Sequence, residues 1–227
     1  MAAETGIRKF YVMLIVGAAV GVAVLGFLIL RPRTVSIPVP AALLPSDTAG
    51  FRGYLLGADS APVEVTEYAD YQCPACQDFE TVQFPDIRTR LIATGQVRWR
   101  YRDFPLDQHQ FGRLAAHAAA CADAQGKFWE MHERIYAGQV AWSRRGGDAN
   151  GAFRHMAEGA GLNLAAYDTC MSSGRFAGRI QASRLEGERL GVNSTPTFLI
   201  GGRLYPGRLT YDGLKALVDS VKSRAAR

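Results

Sequence analysis

Residues 62–76 read Pro62-Val63-Glu64-Val65-Thr66-Glu67-Tyr68-Ala69-Asp70-Tyr71-Gln72-Cys73-Pro74-Ala75-Cys76. The alternation of Val63 and Val65 with Glu64, Thr66 and Glu67 predicts a strand. A helix is expected to open at Cys73, because Pro74 suits the first helical position, where its missing N–H costs nothing. The C-x-x-C therefore lies directly after a strand and on the first turn of a helix. At a spacing of three residues the two sulfurs come within disulfide range. Free backbone N–H groups and the positive helix end converge on Cys73 and stabilise its thiolate, whereas Cys76, one turn in, is expected to be more buried and higher in pKa. One sulfur attacks or is attacked, and the other resolves. A C-x-x-C can also be half of a zinc site. The other half is missing: His109, His117, His132 and His155 are scattered, and His117 with Cys121 is their only i, i+4 pair with a cysteine. The strand–C-x-x-C–helix context favours redox chemistry, with no metal expected.

Reading outward, the helix runs toward Leu91 with a kink at Pro85, and Gly95 breaks it. Gln96–Arg102 alternates as a second strand, with Val97, Trp99 and Tyr101 on one face. Arg98, Arg100 and Arg102 on the other read as a solvated face. Helical patterns follow over Ala115–Ala124, Phe128–Tyr136, Ala152–Gly159 and Phe176–Leu190. Val192–Pro196 is a loop and Thr197–Ile200 a short strand. Gly201-Gly202 suits a hairpin turn into Arg203–Tyr205, and Tyr211–Lys222 closes as an amphipathic helix. The order is β-α-β, a helical block, then β-β-α, an α/β chain.

The 227 residues are 48% hydrophobic and 21% charged, with Gly 24 and Pro 10, which excludes collagen-like, low-complexity and wholly disordered classes. The net charge of +5 is dispersed, without a basic run, so nucleic acid is not an expected partner. Residues 10–30 carry no charge. As a helix they would span about 31 Å, long enough for an uncleaved transmembrane anchor. The flanks Arg8, Lys9 and Arg31, Arg33 tie in the positive-inside count. The α-amino group tips residues 1–9 toward a cytoplasmic tail. Residues 31–58 contain Pro32, Pro38, Pro40 and Pro45 and read as an extended Pro-rich linker.

The chain resembles the DsbA-like thiol–disulfide oxidoreductases of the thioredoxin superfamily. The likeness lies in residues 61–72 leading into the C-x-x-C, in Tyr101-Arg102-Asp103-Phe104-Pro105-Leu106, in Gly126-Lys127-Phe128-Trp129-Glu130-Met131-His132 and in Gly191-Val192-Asn193-Ser194-Thr195-Pro196-Thr197-Phe198. It implies a thioredoxin fold over residues 59–227, split by a helical insertion at about 107–190 and preceded by the one transmembrane helix. It implies a cis peptide at Thr195-Pro196 facing the C-x-x-C, where the backbone pairs with an extended client segment. It also gives Glu67 the role of a buried acid that exchanges a proton with Cys76. Cys121 and Cys170 fall in the insertion. Some DsbA-like relatives carry a second bridge there, and the 48 intervening residues suit a structural staple contributing about 3–4 kcal/mol. The dipeptide Pro74-Ala75 departs from the strongly oxidising members, which have His in the second place.

The implied activity is an oxidase introducing disulfides into exported proteins with reduced cysteines, outside the cytoplasm and held at the cell membrane. A quinone-linked membrane partner of the DsbB or VKOR type would reoxidise it, and no cofactor is expected. The alternative is an isomerase or reductase on the same fold. Isomerases of the superfamily use a separate dimerisation domain, for which residues 31–58 are too short.

Overall fold

The computed structural model describes residues 2–30, 35–144 and 146–225, with side chains over 11–26 in the first helix. The chain divides into two compact units, Met1–Thr34 and Val35–Arg227. The described residues of the first form a helix, α1 (Ala2–Leu30). Among the described residues no helix is long and apolar enough to cross a membrane. The side chains at both ends of the expected anchor and of the tail 1–9, and residues 31–34 of the expected linker, lie outside those described.

The second unit is a mixed five-stranded sheet in the order β1-β3-β2-β4-β5. β2 (Val63–Ala69) and β3 (Val97–Asp103) run parallel, whereas β1 (Tyr54–Leu56), β4 (Thr197–Ile200) and β5 (Arg203–Pro206) pair antiparallel with their neighbours. Val63, Val65, Val97, Trp99, Phe198 and Ile200 pack against Phe79, Phe84, Ile87 and Leu91 of the helix after β2 and against Leu214 and Val218 of α11 (Tyr211–Ala225). Burying each such side chain contributes about 1.5–3 kcal/mol. A second cluster joins Tyr54, Ala69 and Tyr101 to the insertion. The insertion comprises α5 (Gly112–Asp123), α6 (Phe128–Ala137), α7 (Gln139–Trp142), α8 (Ala149–Gly159), α9 (Leu164–Ser173) and α10 (Ala177–Leu190).

Three expectations are corrected. The chain is not an extended linker up to residue 58: Ile37 is buried, α2 (Pro45–Thr48) is helical, and β1 pairs with β3 with the Tyr54 ring stacked on Phe128 at 3.6 Å. A three-residue strand is too short to show a period, and proline-rich composition hid it. Nor is the arginine face of β3 solvated. Arg98 and Arg100 pair with Glu64 on β2, and Arg102, its side chain 5% exposed, pairs with Glu186 of α10. The neighbouring strand and the insertion supply those acids.

Nor is the helix after β2 a regular α-helix. It alternates α3 (Pro74–Asp78), a π-helical turn (Phe79–Gln83), α4 (Phe84–Ile87) and a second π-helical turn (Arg88–Ile92). Phe84 N–H donates to Phe79 O five residues back, closing the first π-helical turn directly before Pro85, which has no N–H to donate. The helix α9 showed no apolar stripe strong enough to be read.

Candidate active site

Cys73 is the extended N-cap of α3 and Pro74 its first residue. The N–H groups of Cys76 and Gln77 both donate to Cys73 O at 3.1 Å, and Cys73 N–H donates to Asp70 O at 3.0 Å. From α7, Gln139 Nε2 donates to Tyr71 O at 2.7 Å and Cys73 O at 3.0 Å, so the insertion grips the approach to the C-x-x-C. The antiparallel register pairs Phe198 with Glu67 and Thr197 with Tyr68. Residues just before β4 therefore land beside the turn that follows β2. Thr195-Pro196 lies there as a cis peptide, with Cys73 Sγ 3.4 Å from Thr195 O.

The two thiols are free and electrostatically unequal. The Cys76 thiol hydrogen-bonds the Cys73 sulfur, and this is the largest cause drawing the Cys73 thiol down to about 5. Burial opposes it; the side chain of Thr195 and the backbone at Cys76 and Ala75 reinforce it. Thr195 Oγ1 is buried with no other partner. Cys76 is pushed well up, first by burial, then by the Cys73 sulfur and the charge of Glu67.

Beneath Cys76 lies a buried acid pair. Glu67 shares a strand face with Val63 and Val65 and is fully buried; Trp99 Nε1 donates to its Oε2 at 3.3 Å. Glu80, four residues after Cys76 and so about one turn along the same helix, adjoins Glu67, and one carboxyl oxygen of each is buried with no other partner, so the two carboxyls are placed to share a proton. A carboxyl–carboxyl hydrogen bond requires a proton on at least one member. Glu67 is held well above the usual carboxylate range by burial, then by the charge and hydrogen bond of Glu80. Burial likewise raises Glu80. His132 Nε2 lies 3.2 Å from Glu80 Oε2, and its Nδ1 is 2.9 Å from Tyr71 OH. Burial lowers His132 to about 4, so the ring is neutral at pH 7. Glu80, His132 and Gln139 were not picked out from sequence. Only Glu80 carried a signal, its one-turn spacing from Cys76.

The other two cysteines are bonded to each other. Cys121 of α5 and Cys170 of α9 form a disulfide with Cα atoms 5.8 Å apart. His117 lies beside them, its Nδ1 3.6 Å from Cys121 Sγ, and its Nε2 accepts Phe176 N–H at 3.3 Å. His117, Cys121 and Cys170 lie within metal-ligating distance of one another, but both sulfurs are consumed by the bond.

A dithiol at a helix N-terminus, beside a cis-proline that leads into an inner strand of a mixed sheet, defines a class that comparison with known proteins identifies. A family profile described as Thioredoxin matches residues 52–220. The chain belongs to the thioredoxin family. It is 26% identical to Disulfide bond formation protein D of Bacillus subtilis, over 73% of this chain and 75% of that protein. It is 35% identical to Na(+)/H(+) antiporter NhaA 3 of Salinispora tropica over 77% of this chain, but spans only 25% of the antiporter's length. The crystal structure of α-DsbA1 from Wolbachia pipientis superposes with a TM-score of 0.69 at 23% identity, over 77% of this chain and 93% of that one.

Proposed function

We propose that the protein is an oxidase that introduces disulfides into exported proteins through the Cys73–Cys76 pair. The observation that carries this reading is the inequality of the two sulfurs, one poised as a stable thiolate and the other buried beside an acid pair. A client thiolate attacks Cys73 Sγ of the oxidised pair. The intramolecular S–S bond breaks, and Cys76 leaves and takes the proton of Glu67. A second client thiolate then attacks the client sulfur of the mixed disulfide and expels Cys73 as thiolate. Two electrons pass from client to enzyme. The backbone at Thr195 and Pro196 holds the client strand during both displacements, while Pro74 and Ala75 set the turn between the sulfurs. A low Cys73 pKa makes it a good leaving group and stabilises the reduced enzyme, which defines an oxidising couple. The disulfide between Cys121 and Cys170 is structural in this reading.

Residues 10–30 serve as a single-pass anchor, and residues 35–227 act on the extracytoplasmic side, where a quinone-linked partner of DsbB or VKOR type reoxidises the pair. The uncharged 21-residue run supports the anchor. Ala75 favours the second reading, a reductase or isomerase, because it adds no thiolate stabiliser. Equilibration with glutathione decides between them. A potential above roughly −200 mV is expected, and one near about −270 mV assigns the reductase direction. Protease added from outside to cells with a permeabilised outer layer should digest residues 31–227.

A further inference from the structure

We propose that His109, held by Asp70, is the electrostatic partner of Cys73, supplying from the insertion the positive charge that the Pro74-Ala75 dipeptide lacks. This rests on the reading of Cys73 as the departing thiolate.

Residues 106–111 lead from β3 into α5 and are fastened to the turn that carries the C-x-x-C. Leu106 N–H donates to Asp70 Oδ2 at 2.7 Å, and Phe111 N–H donates to Gln72 Oε1 at 2.6 Å. His109 Nδ1 lies 2.7 Å from Asp70 Oδ2. Asp70 also accepts Gln72 N–H on Oδ1 at 2.8 Å, and its carbonyl accepts Cys73 N–H at 3.0 Å. The next residue is Gly112, where a Cβ would stand 2.7 Å from Asp70 Oδ1, so a side chain there would force the two segments apart. The Asp70 carboxyl is fully buried and the imidazole 18% exposed. With Nδ1 committed to Asp70, Nε2 remains for a second interaction.

The groups around His109 favour its cation. The hydrogen bond that His109 donates to Asp70 raises its pKa most, burial opposes, and the charges of Asp70 and Cys73 add to the rise. Arg113, the second residue of α5, also interacts with Asp70, but its charge is shared with Asp107 and Glu188, which pair with Arg184. Cys73 is thus a charged neighbour that changes with redox state: anionic when reduced, neutral in the disulfide. Linkage makes the effect reciprocal. Imidazolium favours the thiolate, and the thiolate favours imidazolium. Protonation of His109 therefore makes the couple more oxidising as pH falls through its titration.

Following the His109 ring by NMR in the full chain, oxidised and reduced, tests this without mutation. The reduced protein should bind the imidazole proton roughly threefold to tenfold more tightly; equal midpoints overturn the proposal. His109→Gln should raise the proton affinity of Cys73, read from thiolate absorbance, by a similar factor, and move the glutathione equilibrium toward the oxidised protein. His109→Lys should keep Cys73 acidic and carry the effect to higher pH. Wild-type values in both variants would also overturn it. Client oxidation with no His109 response removes this proposal alone. A His109 response without client oxidation removes the oxidase reading alone.

Discussion

The protein carries two cysteine pairs whose contrast shows what makes a disulfide reactive. Exposure does not separate them: Cys73 is 7% exposed and Cys170 is 6%. The surroundings do. Cys73 caps a helix with donors gathered on one sulfur, while Cys76 is buried against acids that resist its ionisation. Cys121 and Cys170 join two helices of the insertion, 49 residues apart. Their titratable neighbour His117 is lowered to about 4 by burial and then by Arg179 and Arg175, so it is neutral at pH 7. On the proposed function, the pair with one favoured thiolate exchanges, whereas the pair with none holds.

The largest expected effect lies in the first pair. Cys73→Ser should abolish disulfide transfer, and Cys76→Ser should trap client mixed disulfides through Cys73, visible on non-reducing gels. Normal turnover by Cys76→Ser would reverse the assigned roles. The double Cys121→Ala, Cys170→Ala variant should lose about 3–4 kcal/mol of stability in denaturant titration while keeping most activity per folded molecule. A stable but inactive variant would instead make the second pair a relay and erase the contrast.

A smaller effect separates the pairs by pH. In the oxidised protein Cys73 bears no charge, and the folded state holds protons on Glu67 and Glu80 that the unfolded state releases above about pH 4.5. The stability this contributes is complete below that pH and lost as pH rises through the folded titrations, at up to about 1.4 kcal/mol per pH unit for each retained proton. Glu67→Gln should flatten that slope in chemical denaturation at several pH values. An unchanged slope would remove the acid pair from beneath Cys76. The smallest change is Ala75→His, which adds a cation beside Cys73 and should move the glutathione equilibrium modestly toward the reduced protein.

What the sequence made legible follows from how local each signal is. The C-x-x-C, Pro74 at the helix start and the alternation in β2 and β3 are local patterns, and they led to the site. Thr195-Pro196 and Glu67 came through resemblance, because nothing nearby in sequence marks them. β1 was missed because three residues show no period. Glu80, His132 and His109 were missed as members of the site because their roles depend on partners 13, 52 and 39 residues away in Glu67, Glu80 and Asp70. The arginines of β3 were misread for the same reason, since Glu64 and Glu186 reach them only in the folded sheet.

The hydrogen bond from Trp99 to Glu67 has an optical consequence. An indole fully buried between Phe79, Phe84 and Phe198 and anchored to the acid has an excited state that responds to whether that carboxyl is neutral or ionised. Each transfer of the Glu67 proton to Cys76 would then register as a change in intrinsic emission. On the proposed function, the protein carries its own reporter of turnover, one that needs no label and that Trp99→Phe would silence.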